Sequence, residues 1–463
     1  MARLVIVSNR VGAPGERAAR AGGLAVAMRD ALRQNGGIWF GWSGEIADAS
    51  SAAPHMETAG KVTYATVDLS QTDHDQYYIG YANSTLWPLL HYRLSLVEYK
   101  RRQFNGYLRV NTYLAQQLRP LLKSDDVIWV HDYHLIPFAA ELRKLGVGNQ
   151  IGFFLHTPFP PPELVVSLPH HGLLMEAISA YDLIGFQTAK DTRAFLNYIT
   201  SVAGGRVLGE DAFEAYGKRS RAAAFPIGID TEAFARLAEQ AVNSTEAHRL
   251  RESIAGRSLI IGVDRLDYSK GIPSRFEAID GLLSDFPDAR GRFTYLQITP
   301  HSRSEVAQYR ALRRQLEAAA GRVNGQYAEF DWTPIRYVNK SFSRQTLAGF
   351  YRVARVGLVT PLIDGMNLVA KEFVAAQNPE DPGVLILSRF AGAAQELQSA
   401  VLVNPFDVDE MSAALHRSLG MSAEERHDRW VAMMSVIQLN TITTWRESFL
   451  HALRERPAAP TSA

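Results

Sequence analysis

The sequence predicts an α/β protein of two doubly wound, parallel-sheet, Rossmann-like domains facing one another. Short apolar runs alternate with helical patterns through both halves of the chain, which is the rhythm of successive βα units. Several of these runs are continuous rather than alternating, Val127 to Val130 being one, as expected of strands covered on both faces. Between the two sets lies Phe225-Pro226-Ile227-Gly228-Ile229-Asp230, where proline and glycine together mark a junction. The expected domains are therefore 1–228 and 229–439. The tail, 456–463, mixes prolines with small residues and has no apolar pattern, so it is expected to be disordered.

Composition narrows the class. A chain of 463 residues can hold two or three domains with proper cores. Its 46% hydrophobic and 21% charged content is ordinary for a soluble globular protein. The formal net charge is +1, from 49 basic and 48 acidic residues, so no global field attracts nucleic acid and any basic site must be local. Cysteine is absent, which removes disulfides, thiolate nucleophiles and cysteine metal sites and fits a reducing compartment. The apolar run Leu4 to Val7 is too short for a signal-peptide core. No run approaches the roughly 18–20 apolar residues that span a bilayer. The expected setting is cytoplasmic, without a membrane or nucleic-acid partner.

Taken in order, Leu4 to Val7 is the first strand and leads into Ser8-Asn9-Arg10. A Gly-, Ala- and Arg-rich loop follows and ends at Gly22-Gly23, where a helix through Leu24, Val26, Met28 and Leu32 begins. Strand, glycine loop and helix suit a phosphate or sugar site, although a bare Gly-Gly is more often a turn. Ile38–Trp42 and Val62–Leu69 are the next strands. Gly41-Trp42-Ser43-Gly44 is one residue short of a serine-hydrolase elbow. Tyr77 and Trp87 lie in an aromatic segment, and aromatics at such positions are more often core than ligand contacts.

The strand Val127–Val130 delivers His131-Asp132-Tyr133-His134 at its carboxyl end, where ligands bind in open α/β sheets. Two histidines three apart hint at a metal, but no HExxH pattern supplies further ligands. No metal or other cofactor is expected. Ile151–Leu155 delivers His156, which is either a satisfied structural histidine or a cleft residue. Helix 173–181, strand 183–186, helix 192–199 and strand 223–227 continue the alternation. In the second half, 258–263, 293–298, 335–338, 356–359, 384–387 and 400–403 read as strands, and 423–453 as a final helical region.

Two stretches of the second half carry the chemistry. Strand 258–263 runs into Asp264-Arg265-Leu266-Asp267-Tyr268-Ser269-Lys270-Gly271, with a helix from Ile272. Two cations five apart at a strand exit suit a pyrophosphate, which gains from a planar guanidinium and a point ammonium. The bland alternative is a surface Arg265–Asp267 pair worth about 0–1 kcal/mol. Strand 356–359 runs into Thr360-Pro361-Leu362-Ile363-Asp364-Gly365-Met366-Asn367-Leu368-Val369-Ala370-Lys371-Glu372. A tight strand-to-helix turn of this kind seats phosphate or sugar hydroxyls. There Asp364 could accept from a polyol and Glu372 could reach a ribose. An ordinary Asp-Gly turn with a surface glutamate is the competing reading.

VDRLDYSKG and TPLIDGMNLVAKEFVAAQ closely resemble the retaining nucleotide-sugar glycosyltransferases of family 20, which make trehalose 6-phosphate. The similarity runs from the first strand to about Leu453. It implies a GT-B architecture, with the donor on the second domain, the acceptor on the first, and a helix at about 440–455 returning to the first. It implies glucose transfer with retention from a nucleoside-diphosphate glucose, expected to be UDP-glucose, to glucose 6-phosphate. By the same resemblance, Arg265 and Lys270 meet the departing diphosphate. Asp364, Gly365, Met366, Asn367, Leu368 and Val369 hold the donor glucose, Glu372 holds the ribose, and the Gly22-Gly23 loop folds over the donor. Arg10 and Arg303 match residues that grip the acceptor phosphate, with Tyr77 and Trp87 completing that pocket. Asp132 matches an acceptor-hydroxyl contact, and His156 a residue used near the donor sugar.

Two rival functions remain open at this point. One is a sibling transferase that uses glycerol 3-phosphate or a pseudo-sugar phosphate as acceptor. The other is a catalytically silent sugar-phosphate sensor, which would not need both diphosphate cations; a metal-dependent hydrolase is a more distant reading. The donor base and the oligomeric state, including a homo-oligomer, are also open.

Overall fold

The computed structural model describes residues 2–12, 28, 32, 36–300 and 307–455. The tail expected to be disordered, 456–463, lies outside them. The chain divides into two compact units, Met1–Pro226 with Trp445–Ala463, and Ile227–Thr444.

Among the described residues the first unit has ten strands: β1 Leu4–Arg10, β2 Gly37–Ala47, β3 His55–Ala59, β4 Val62–Ser70, β5 Val127–His131, β6 Gln150–Phe154, β7 Leu183–Phe186, β8 Arg206–Leu208, β9 Ala212–Ala215 and β10 Lys218–Ala224. They form one sheet in the order β3-β4-β2-β1-β5-β6-β7-β10-β9-β8. The seven strands from β4 to β10 run parallel, while β3, β9 and β8 add antiparallel edges. Chain order reverses between β1 and β5, which pair from Leu4↔Val127 to Ser8↔His131. That reversal is a topological switch point, where open α/β sheets bind their ligands.

Within this unit the helix Ile442–Arg454 covers the central strands. Trp445 and Phe449 lie 4.9 and 4.8 Å from Trp129, ring centre to ring centre. Glycines at 152 and 185 make room for this, since a Cβ at either would come within 2.8 Å of the Phe449 ring.

The second unit has six strands among the described residues: β11 Ser258–Val263, β12 Phe293–Ile298, β13 Ile335–Val338, β14 Val356–Val359, β15 Val384–Ser388 and β16 Val401–Val403. Their order is β13-β12-β11-β14-β15-β16 and every pairing is parallel. The switch point here falls between β11 and β14, which pair at Ile260↔Val356 and Ile261↔Gly357. Both units are therefore doubly wound, Rossmann-like sheets.

Three local features depart from the sequence reading. The short strand expected at 223–227 is β10, and it lies earlier, at Lys218–Ala224. It opens on Lys-Arg-Ser-Arg, and β8 and β9 beside it have only three and four residues, so none of the three shows the long apolar run used to find strands. The final helical region is two helices, Ala423–Leu439 and Ile442–Arg454. It breaks where Gly228 packs so closely on Asn440 that a Cβ would stand 1.9 Å from that carbonyl oxygen. Finally, His74–Leu86 is a π-helical segment of 13 residues, much longer than the single-turn bulges in which that geometry usually occurs. No helix among the described residues is long and apolar enough to cross a membrane.

Candidate active site

In the second unit the two motif loops leave adjacent strands, β11 and β14, on either side of the switch point. Backbone contacts join them: the Leu362 amide donates to the Ser269 carbonyl at 2.8 Å. Gly271 is required twice over, by its φ of +66° and by a Thr360 carbonyl oxygen 2.4 Å from where a Cβ would stand. Asp267 accepts from the Ser269 amide at 2.9 Å and from the Tyr309 hydroxyl at 3.0 Å, which fixes the turn before Lys270.

Lys270 Nζ lies 2.5 Å from Asp364 Oδ2, with both side chains mostly buried. The same carboxylate oxygen accepts from Asn367 Nδ2 at 3.1 Å. Asn367 has a φ of +74° and opens the helix Leu368–Ala376 without a side-chain cap. The Ala370 amide donates to the Asn367 carbonyl at 3.3 Å, and the first amides of a helix left without a cap suit a ligand's oxygens or water. Gly365 is held from behind, since a Cβ on Gly392 would stand 1.8 Å from its carbonyl oxygen, and Ala393 donates to the Met366 carbonyl at 2.8 Å. Burial pushes the Glu372 carboxyl up to about 7 against the opposing pull of Arg344. Arg265 is exposed on the same loop as Lys270.

Sequence reasoning passed over the residue that ties this site together. Arg275 is fully buried and is surrounded by acceptors from both loops: Asp264 Oδ2, the Lys270 carbonyl at 2.9 Å and Thr360 Oγ1 at 2.9 Å. Burial pushes the Asp264 carboxyl up, and the Arg275 guanidinium opposes the shift. A signal was present in the sequence. Arg275 falls on the buried stripe of its helix with Ile272, Phe276, Ile279 and Leu282, a place where an arginine must be paired.

In the first unit, β1 ends in a register irregularity between Ser8 and Arg10. Trp39 Nε1 donates to Ser8 Oγ at 2.8 Å, and Ser8 Oγ donates to the Arg10 carbonyl at 3.0 Å. The Arg10 guanidinium lies over Gly44, where a Cβ would come within 2.5 Å of Nε. Tyr77 is buried in the π-helical segment and donates its hydroxyl to Asn9 Oδ1 at 2.8 Å, one residue before Arg10. Trp87 is buried too, its ring 5.7 Å from that of Tyr133.

Asp132, at the end of β5, has φ 77° and ψ 164°, a region essentially reserved for glycine. Its Oδ1 accepts from the amides of Tyr133 at 3.1 Å and His156 at 3.4 Å. The His156 ring is half-buried. Its Nε2 lies 3.1 Å from His131 Nδ1, and its Nδ1 lies 3.4 Å from Gln187 Nε2. Burial lowers both histidines, His156 to about 3, so the pair is neutral near pH 7. Among the described residues no group of three or more His, Asp or Glu is placed to hold a metal. Arg10, Tyr77, Asp132 and His156 therefore gather near one switch point, and Lys270, Asp364 and Asn367 at the other. Gly22, Gly23 and Arg303 lie outside the described residues.

The model of glycosyltransferase family 20 matches residues 6–455. A trehalose-6-phosphate synthase of Sinorhizobium fredii is 52% identical over 456 residues, 98% of each chain. An α,α-trehalose-phosphate synthase (UDP-forming) of Burkholderia xenovorans, solved in complex with glucose-6-phosphate, is 50% identical. It superposes with a TM-score of 0.94, over 98% of this chain and 100% of that one. An E. coli structure bound with UDP-2-fluoro glucose is 48% identical, with a TM-score of 0.93 over 98% of this chain and 99% of that one. On the match of the family model to nearly its whole length, the chain belongs to glycosyltransferase family 20.

Proposed function

We propose that this protein is an α,α-trehalose-6-phosphate synthase that transfers glucose with retention from UDP-glucose to glucose 6-phosphate, releasing UDP. The observation that carries the reading is the pairing of the two loops at the β11/β14 switch point, with Lys270 and Asp364 in contact at 2.5 Å. The pair supports the reading because an ammonium suits phosphate oxygens and a neighbouring carboxylate suits sugar hydroxyls. The relatives at about half identity make and bind the corresponding molecules.

In this reading, the bond from the glucosyl anomeric carbon to the diphosphate breaks as the bond to the acceptor's anomeric hydroxyl oxygen forms on the same face. The departing phosphate oxygen takes the acceptor's proton. Arg265 and Lys270 meet the charge that grows on the leaving group, as preorganised electrostatics and with no added cofactor. Asp364 and the amides that follow it hold glucose hydroxyls, and Glu372 holds the ribose. The Gly22-Gly23 loop closes on the donor. On the first unit, Arg10 takes the acceptor phosphate with Arg303, Tyr77 and Trp87 wall the pocket, and Asp132 orients the attacking oxygen. Asp132 is supported by its backbone, since a strained non-glycine residue persists where the surroundings hold it for a purpose. His156 is neutral, so it serves as a hydrogen-bond partner near the donor sugar rather than as a charge. The small molecules are the proposed partners, and the cytoplasm is the proposed location because the chain has no cysteine.

The test is product analysis with UDP-, GDP- and ADP-glucose against glucose 6-phosphate, glycerol 3-phosphate and a pseudo-sugar phosphate. Trehalose 6-phosphate as the dominant product supports the assignment. Preference for another acceptor, or binding without turnover, overturns it. A glucosyl-enzyme adduct trapped by mass spectrometry would refute same-face attack.

A further inference from the structure

Arg275 does more than fill the core. Its side chain is fully buried, yet every nitrogen of the guanidinium is spoken for. Nε donates to Thr360 Oγ1 at 2.9 Å, the first residue after β14. Nη1 donates to Asp264, the first residue after β11, and to Gln297 Oε1 at 3.3 Å on β12. Nη2 donates to the carbonyl of Lys270 at 2.9 Å. One rigid fork thus holds the beginning of each motif loop and the backbone of the lysine assigned to the diphosphate. Gly262 on β11 gives it space, since a Cβ there would come within 2.5 Å of Gln297 Oε1 and 3.1 Å of Arg275 Nη1.

A buried ion pair is weak evidence of stabilisation, because desolvation offsets most of its attraction. It does fix geometry where its partners converge on one place. Here the fork sets the spacing between the loop that ends in Lys270 and the loop that carries Asp364. Lysine cannot replace it, because a single ammonium lacks the planar set of donors.

We propose that Arg275 is a positioning residue for the donor diphosphate, acting on the reaction through the placement of Lys270. The proposal rests on the donor site described above. The first test variant is Arg275→Lys, which keeps a cation beside Asp264. A second, Asp264→Asn with Arg275→Met, removes both charges together should the first fail to fold. Turnover with UDP-glucose and glucose 6-phosphate is measured alongside the affinities for UDP and for uridine. Leu415→Ala, a core deletion on the helix Val408–Leu419 that packs against the one carrying Arg275, serves as a control for lost stability without loss of the fork.

Arg275→Lys is expected to lower kcat by about 10–10²-fold, a fraction of what loss of a transition-state donor costs. The KM for glucose 6-phosphate should hold, UDP should bind more weakly and uridine as before. In a Lys270→Ala background the same change should cost less than about threefold, because residues acting as one unit are not additive. The proposal is overturned if UDP and uridine weaken equally, if the two substitutions are additive, or if Leu415→Ala reproduces the pattern. If the unaltered protein shows no transfer, it is the functional assignment that fails.

Discussion

Lys270 and Asp364, 94 positions apart in the chain, form an ion pair at 2.5 Å that joins the loops after β11 and β14. Neither residue is exposed enough for water to screen the pair fully. In the proposed reaction they part company: the ammonium serves the diphosphate and the carboxylate the glucose hydroxyls.

That division gives a test with two opposite signs. A carboxylate beside a diphosphate repels it, so Asp364→Asn should leave the affinity for free UDP unchanged or raise it. Turnover should fall by about 10²-fold or more as the sugar loses its acceptor. Calorimetry with UDP and steady-state assays on one preparation check both. Lowered UDP affinity together with lowered turnover would contradict the division of roles.

Asp132 offers a test of stored strain. Its φ of 77° and ψ of 164° cost of order 1–3 kcal/mol for any residue with a Cβ. Asp132→Gly should therefore be more stable than Asp132→Ala by about 1 kcal/mol, the relief being partly offset by glycine's larger unfolded-state entropy. Both variants should lose most activity. Comparing their thermal midpoints decides the point.

The His131–His156 pair should make the first unit sensitive to acid. Burial depresses both in the folded state, whereas the unfolded chain takes up protons near pH 6.5. Their contribution is complete above about pH 6.5 and is lost as pH falls toward the folded value of about 3 for His156. Each proton taken up on unfolding steepens the loss by about 1.4 kcal/mol per pH unit. His131→Phe, set among Trp129, Phe154 and Trp445, should flatten the fall of the unfolding midpoint between pH 6.5 and 4.5. An unchanged slope would show that other groups set the acid limit.

Lys371 is fully buried within the motif that follows β14. Its Nζ lies 2.6 Å from Glu396 Oε2 and donates to the Ile227 carbonyl at 2.8 Å, while Glu396 Oε1 accepts from Asn440 at 2.7 Å. The helix Leu368–Ala376 is thereby anchored to both ends of the second unit's chain. Lys371→Met leaves a carboxylate buried without its partner, which should destabilise by about 3–5 kcal/mol. Lys371→Met with Glu396→Gln should recover much of that loss. Thermal midpoints of the two proteins check the difference.

The strands and motif loops were legible in the sequence because parallel-sheet cores demand unbroken apolar runs and switch points put their loops at the carboxyl ends. The pairing of Lys270 with Asp364 was not, since it depends on β11 and β14 becoming neighbours across two intervening strands. Arg275 and Lys371 were missed for a related reason. A charge on a buried helix face or beside a chain crossing gains meaning only from partners distant in sequence. The edge strands β8 and β9 are too short, and the start of β10 too charged, to give a long apolar run, and the π-helical turns around Tyr77 obey neither helical nor strand periodicity.

In the proposed donor site, Glu372 would give donor binding a pH dependence. Burial raises its carboxyl to about 7, so near neutrality the free protein holds it partly protonated. A ribose bound there as proposed would donate its hydroxyls to the ionised form, lowering the value on binding and releasing a proton. Affinity for UDP-glucose, whose phosphates do not titrate in this range, should therefore be complete above about pH 7 and weaken as pH falls below it. The folded protein runs the other way: a raised carboxyl stabilises below its unfolded value near 4.5 and loses that contribution as pH rises through about 7. Glu372→Gln should bind UDP-glucose more weakly at pH 8 and show a flat profile from pH 6 to 8. Titrations in buffers of different ionisation enthalpy would count the released proton directly. A profile in Glu372→Gln as steep as in the unaltered protein would remove the residue from the ribose.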